Sequence, residues 1–446
     1  MSLPVTDSLW RQRLESLFAR HRSVAAEGFK AGAYNSGLEG MQLLDEAIGH
    51  PHREYPVIHV AGTNGKGSVC SMIASGLAGG GLKVGLYTSP HLVDFRERIK
   101  IITSGGFEMI SREEALDFLD RYDRFPGLSF FEITTGMALR FFADRGVDAA
   151  VLETGLGGRL DSTNVVTPIV SVITSIGLDH CDLLGGTRAA IAFEKAGIFK
   201  PGVPALVWGR DEETGPVFER VAASLGAPLY FADGIAGQAG NDGAEGPTAP
   251  SSCPTSPPSC PTRSGIPELD LQGPCQEQNY RTALSALELS GAPFDASALS
   301  HAAAMTGLRA RWETLLRKPL VICDIAHNPP ALRINFERLR RLRTEAGGHR
   351  PLLVVFGIMQ DKDIDSILPL LPADAEYFPV VPDTPRALSA EDLALKLKNL
   401  NFTPPRPVAA GVRAALDRAS GMQDAVIYVG GSNYVASEAI SYIESL

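Results

Sequence analysis

The 446-residue chain has no surplus of basic charge: 41 Lys and Arg stand against 51 Asp and Glu, a net charge of −10. A general nucleic-acid binder needs a basic face, so that class is set aside. An anionic small ligand is not excluded, because a few local donors suffice to hold one. Cysteine is scarce too, 6 in the whole chain, which rules out a disulfide scaffold. Cys70, Cys181 and Cys323 lie in or beside apolar runs and read as buried thiols. Cys253 and Cys260 sit in a Pro/Ser tract with no His or second Cys pair to complete a zinc site. No apolar run reaches the roughly 18 residues of a membrane span. The opening MSLPVTDSLWRQRLESLF lacks a basic start followed by an apolar stretch, so no signal peptide is expected and a cytoplasmic location is.

What is present is ordinary for a folded protein: 44% hydrophobic and 21% charged residues, in a length that suggests two to three domains. From Tyr55 onward, apolar β-type runs alternate with helical patterns. VIHVA (Val57–Ala61), KVGLYT (Lys83–Thr88), DAAVLE (Asp148–Glu153), IVSVIT (Ile169–Thr174) and PALVW (Pro204–Trp208) are nearly continuously apolar, as strands buried on both faces are. Helical stretches such as Arg112–Tyr122, Ile133–Asp144 and Thr187–Ile198 lie between them. A second series, PLVICDI, LLVVF, YFPVV and AVIYV, follows a helix at Gln276–Leu289. The rhythm predicts two α/β domains with mostly parallel sheets and a boundary near Gly307–Trp312. The Gly/Pro/Ser/Thr-rich tract Ala236–Gly265 has almost no large apolar residues and reads as a disordered, dispensable insertion.

The sharpest local pattern is a strand running into Gly62-Thr63-Asn64-Gly65-Lys66-Gly67-Ser68 and then a small-residue helix. Glycines let successive N–H groups face one anion, and the helix N-terminus adds its dipole. Lys66 supplies a point charge for phosphates, and Ser68 or Thr63 can reach phosphate or metal, although the spacing is shorter than the common G-x-x-x-x-G-K-[ST]. Ser89, Glu153 and His180 each follow a predicted strand. In a parallel sheet those ends share the edge where the loop opens, which suits a Mg²⁺ site. Asp324, His327 and Asn328 follow a strand of the second series. They fit either contacts to ribose and phosphate or a plain polar turn. Lys195 alone reads as a solvated helix lysine, and Arg311 as either a phosphate contact or a hinge charge.

The runs GTNGKGS, TSPHLVDFRERI, ETGLGGRLDSTN, SIGLDH, EKAGIFKPGVP, QEQN, DIAHNP and FGIMQDKD occur in the order found in folylpolyglutamate synthases. The chain closely resembles that family, with its bifunctional dihydrofolate synthases, inside the Mur-ligase superfamily. The resemblance implies an α/β fold: a P-loop ATP-binding domain with a mostly parallel sheet, residues 1–307, and a smaller Rossmann-like C-terminal glutamate-ligase domain, residues 308–446. It assigns ATP contacts to Thr63, Asn64, Gly65, Lys66, Asn279, Arg311 and Asp324, and magnesium to Ser89, Glu153 and His180. Pterin contacts fall on Ser129, Phe130, Phe131, Glu132, Arg159, Leu160 and Asp161. Lys195 becomes a carbamylated, anionic lysine, and His327 a group near the transferred phosphate or incoming glutamate.

The implied reaction joins L-glutamate to folate or dihydropteroate through an acyl phosphate. It uses ATP and two Mg²⁺ ions, with a monovalent cation as a further option. Small molecules are the only partners implied, with no nucleic acid or membrane, and the chain acts as a monomer. The rivals are a Mur-type peptidoglycan-precursor ligase and a non-catalytic nucleotide-binding regulator. Cys275 stands where the family has His, and Ala310 and Ile325 where it has Gly; none of these removes a liganding group.

Overall fold

The computed structural model describes residues 5–21, 37–123, 125, 127–233, 266–273, 275–344 and 349–446. The Ala236–Gly265 tract, with Cys253 and Cys260, lies outside the described residues. Eight strands form the first sheet: β1 (Val57–Ala61), β2 (Val84–Tyr87), β3 (Ile99–Thr103), β4 (Gly106–Met109), β5 (Ala149–Glu153), β6 (Val170–Ile173), β7 (Ala205–Val207) and β8 (Leu229–Phe231). Their order is β4-β3-β2-β5-β1-β6-β7-β8. The six from β2 through β8 run parallel, and β3 and β4 add an antiparallel edge.

Alternation explains why these runs are strands buried on both faces. Ala150 and Leu152 of β5 join the core under the helix Phe130–Asp144, while Ala149 and Val151 join the core beneath the helix Lys66–Gly79. That second helix is buried almost all round, against the helix Gln276–Ser290 and the 3₁₀ turn Ala296–His301. Small residues make the fit: a Cβ on Gly76 would press into Leu287 and Leu299.

The second sheet holds β9 (Glu313–Arg317), β10 (Leu320–Cys323), β11 (Leu352–Phe356), β12 (Glu376–Val381), β13 (Asn401–Phe402), β14 (Arg406–Pro407) and β15 (Val426–Gly430). Its order is β13-β12-β11-β15-β10-β9, with β14 also on β12 and only β9 antiparallel. Here too alternate residues split between two cores, Ile427 and Val429 on one face, Val426 and Tyr428 on the other. Both sheets are therefore mostly parallel and covered by helices, as expected.

The predicted strands are present within a residue or two at their ends. The β3–β4 hairpin and the edge strands β8, β9, β13 and β14 were not anticipated. Cys70 and Cys323 are buried free thiols, but Cys181 is exposed, because it opens a short turn of helix after the loop rather than continuing the apolar run. Among the described residues no helix is long and apolar enough to cross a membrane.

Candidate active site

Parallel pairing puts the C-terminal ends of β2, β5, β1 and β6 side by side, with Val60 opposite Glu153 and Ala61 opposite Ile173. The loop after β1 needs glycine at two points. Gly62 (φ 151°) and Gly65 (φ 91°) take left-handed backbone, and a Cβ there would collide with Thr174 and Asn279 respectively. The loop is pinned from the next strand: the Thr63 amide donates to Ser175 O (2.7 Å), and Thr174 Oγ1 donates to Asn64 O (2.8 Å).

Lys66 curls over this loop and donates to Gly62 O (3.0 Å) and Thr63 O (3.3 Å). Lys195, on the helix Arg188–Ala196, is buried and donates to the same Gly62 carbonyl at 2.7 Å. Burial, and then the charge of Lys66, push the Lys195 ammonium down to about 7. The solvated-lysine reading is thus overturned, because the helix turns this position toward the phosphate loop.

At the neighbouring strand ends Glu153 is buried and accepts the Ser89 amide at 3.0 Å. Burial pushes its carboxyl up, against the pull of Lys66, the Ser89 N–H, Arg311 and Arg98. His180 sits in left-handed backbone (φ 52°), and burial drives it down to about 3, so its imidazole is neutral and keeps a lone pair. A buried carboxylate, a hydroxyl and a neutral imidazole on one edge form a donor set that fits a divalent cation with water completing the shell. Gly67 ties this edge to the nucleotide side: a Cβ there would lie 3.4 Å from Arg311 Nη2 and 3.6 Å from Glu153 Oε2.

A cavity of about 510 Å³ opens beside these groups and is lined from both halves of the chain. Thr63, Lys66, Ser89, His180, Lys195 and His327 reach it together. One end is apolar, with Phe130, Phe131, Leu156 and Leu160; Phe18 stacks on Phe130 at 4.7 Å. Arg98 lies over the Phe130 ring at 5.2 Å and is itself buried. The second half contributes Lys362 and Arg386, paired with Asp179 and Asp361 respectively, each at 2.8 Å. An apolar wall with charged groups of both signs beside it suits a ring-bearing polar substrate.

Other expected residues also make structural contacts, Ser129 and Asp161 while lining the cavity. Asp161 spends both carboxylate oxygens on its own loop, accepting the amides of Gly155 (2.9 Å), Leu156 (2.8 Å) and Thr163 (3.0 Å). Ser129 caps the helix Phe130–Asp144 in a capping box with Glu132, its Oγ accepting the Glu132 amide at 3.2 Å. Asp324 accepts from the Trp312 amide, the Ala326 amide and Asn335 Nδ2, each at 2.8 Å, so both oxygens are already engaged. Arg159 is exposed, pairs with Glu194 at 2.9 Å, and is not brought to the cavity wall. Asn279 meets the phosphate loop at Gly65.

Asp179, Lys362, Arg98 and Arg386 were missed by sequence reasoning. Asp179 is one residue before His180 and receives three groups of the second half: Lys362 Nζ (2.8 Å), Asn328 Nδ2 (3.0 Å) and His327 Nε2 (3.6 Å). Those partners and His180 hold its carboxyl far below the usual range despite burial. Arg98 carried no signal in the sequence, because it closes the charged run Asp94-Phe95-Arg96-Glu97-Arg98 and only its burial sets it apart.

The Mur ligase middle domain family matches residues 129–239, and the Mur ligase glutamate ligase domain family matches residues 310–433. A dihydrofolate synthase/folylpolyglutamate synthase of Escherichia coli is 35% identical over 379 residues, covering 84% of each chain. Among solved structures, E. coli FolC in complex with DHPP and ADP superposes with a TM-score of 0.78 at 30% identity, covering 98% of both chains. A bifunctional folylpolyglutamate synthase/dihydrofolate synthase with Mn, AMPPNP and L-glutamate bound gives 0.77, also at 30% identity and 98% of both chains.

Proposed function

From the premise that the chain belongs to the folylpolyglutamate synthase/dihydrofolate synthase family of Mur-type ligases, we propose that its cleft joins L-glutamate to folate, and also to dihydropteroate, with ATP converted to ADP and phosphate. The observation that carries this reading is the cavity itself, where an apolar wall, ionisable groups of both halves and the phosphate loop line one space. Residues 1–307 serve as the ATP-binding part and 308–446 as the glutamate-ligase part.

A carboxylate is a poor electrophile. The reaction therefore first forms a bond from a carboxylate oxygen to the γ-phosphorus and breaks the bond from that phosphorus to ADP. The glutamate amine, in its neutral form, then attacks the acyl carbon, phosphate leaves, and the nitrogen loses one proton and keeps the other as the amide N–H. Lys66 and the loop N–H groups face the charge that shifts during phosphoryl transfer. When bound at Ser89, Glu153 and His180, Mg²⁺ supplies neutralisation of the triphosphate. Phe130 and Leu160 hold the pterin, and Lys362 and Arg386 face the carboxylates of substrate and glutamate. His327 lies on the side from which glutamate enters.

Lys195 is carbamylated in this account. The ammonium first loses one proton, the neutral amine then bonds to CO₂ and releases a second to solvent, and a buried cation becomes an anion. A pKa near 7 makes the neutral amine accessible at ordinary pH, which supports the step. Small molecules are the substrates. A monomeric, cytoplasmic enzyme is part of the proposal, checked by light scattering and cell fractionation. The experiment for the whole reading offers ATP, Mg²⁺ and glutamate with dihydropteroate, a folate or a nucleotide-sugar peptide precursor. Mass spectrometry should show one added glutamate on the pterin substrates only. A product on the sugar precursor, or no glutamate-dependent ADP release, would overturn it.

A further inference from the structure

Away from the cleft, at the far end of the helix Glu39–Ala47, Asp45, His50 and His52 come together. The helix ends in a double left-handed turn, Gly49 (φ 81°) and His50 (φ 53°), with the His50 amide bonded back to Asp45 O at 2.8 Å. That reversal brings the His50 ring under Asp45, and the short turn Pro51–Arg53 adds His52. His50 Nδ1 lies 2.6 Å and His52 Nε2 3.1 Å from the same oxygen, Asp45 Oδ2. Asp45 is only 5% exposed, yet its other oxygen, Oδ1, is buried with no hydrogen-bond partner among the described residues.

A purely structural Asp–His network would spread two donors over two oxygens. Here both imidazole nitrogens converge on one, and the second is left without a partner at a buried position, where that is costly. We propose that Asp45, His50 and His52 form a binding site for a first-row transition-metal dication of the zinc class, a structural site separate from the magnesium edge.

Two imidazoles and one carboxylate are ligands of that class, whereas magnesium prefers oxygen alone. The three donor atoms lie within 4.8 Å of one another. Neighbouring ligands of tetrahedral zinc stand about 3.3 Å apart for bonds of about 2.0–2.1 Å, so the carboxylate need only step back by tenths of an ångström. Each ring then carries its proton on the opposite nitrogen, and both coordinating nitrogens present lone pairs. The His50 side chain is 34% exposed and gives the ion a way in, while that of His52 is 8% exposed. A bound ion would clip the end of the helix to the segment entering β1, and so to the phosphate loop. The other end of that helix starts beside Gly37 of the cavity wall, about 12 Å away along the axis.

The test uses the full-length enzyme, stripped by chelator and kept in excess Mg²⁺ to occupy oxygen sites. It is then given Zn²⁺ and desalted. The wild type and His180→Ala should each retain one zinc per chain, and zinc should raise their Tm by about a few degrees. The double variant His50→Asn/His52→Gln should retain none and show no zinc-dependent Tm shift. Asn tolerates the left-handed turn, which guards the fold. Should that variant fail to fold, Asp45→Asn takes its place with the same readout. Zinc lost with His180→Ala, zinc kept by the Asp45 or His50/His52 variants, or none in the wild type would each overturn the proposal. None of these outcomes bears on whether the cleft is a ligase.

Discussion

Lys66 and Lys195 share one acceptor, the Gly62 carbonyl, yet the account gives them opposite charges during turnover. Lys66→Ala removes a side chain whose hydrogen bonds, among the described residues, are to its own loop, so the fold should survive. Turnover should fall about 10²–10³-fold, as when a preorganised donor to transition-state charge is lost. Glutamate-dependent ADP release measures the rate and thermal unfolding the fold; near-normal turnover would remove Lys66 from phosphate chemistry. Lys195→Ala should also lose activity, with partial recovery on adding a short carboxylic acid that fills the vacated space. Absence of a 44-dalton adduct at Lys195 in bicarbonate-supplemented protein kept near neutral pH would sink the carbamate. Taken by itself in the sequence this lysine read as solvated, and only the family resemblance moved it to the site. Only the packing of its helix against the loop, which no local pattern encodes, shows it to be buried.

Elements decide which of the expected contacts are structural. Ser129, assigned to the pterin, lines the cavity and also caps the helix Phe130–Asp144. Ser129→Ala should therefore cost about 1 kcal/mol of stability, read as a lower midpoint in denaturant. An unchanged midpoint with a raised KM for the pterin would restore the binding role. In β1, the Thr163 hydroxyl donates to Asp161, so His59 Nε2 must donate to Thr163 Oγ1, 2.8 Å away. Burial and then Lys200 push His59 down to about 3, and burial does the same to His91. Between pH 6.5 and 3 the unfolded chain takes up protons that these histidines refuse when folded. Their contribution is complete above about 6.5 and is lost as pH falls toward 3. Stability from urea curves at pH 7, 6 and 5 should drop with a slope approaching about 1.4 kcal/mol per pH unit for each histidine; a flat profile would contradict their neutrality. The parallel strands and their loop were legible because doubly buried strands advertise themselves as apolar runs. The hairpin β3–β4 and the short edge strands were not, since the buried Lys100 breaks the apolar run of β3 and the partly exposed β4, β8 and β9 carry mixed composition. Ala310, at φ 55° where the family has Gly, shows a turn whose backbone the residue type does not reveal.

For the whole molecule, the contact that matters is between halves. Asp179 of the first receives Lys362, His327 and Asn328 of the second, and all the partners lie far off in sequence. That distance is why sequence reading passed over Asp179 while finding His180 beside it. In a double-mutant cycle, Asp179→Asn and Lys362→Met should each destabilise, and the pair should cost less than their sum by about 1–3 kcal/mol. Strict additivity would mean the ion pair does not couple the halves. The central claim is that one cleft activates a pterin-bearing carboxylate as an acyl phosphate and gives it to glutamate. Its most direct test supplies folate labelled with ¹⁸O in the reacting carboxylate, together with ATP and glutamate. One ¹⁸O should appear in inorganic phosphate for each glutamate joined; amide product formed with unlabelled phosphate would contradict the account.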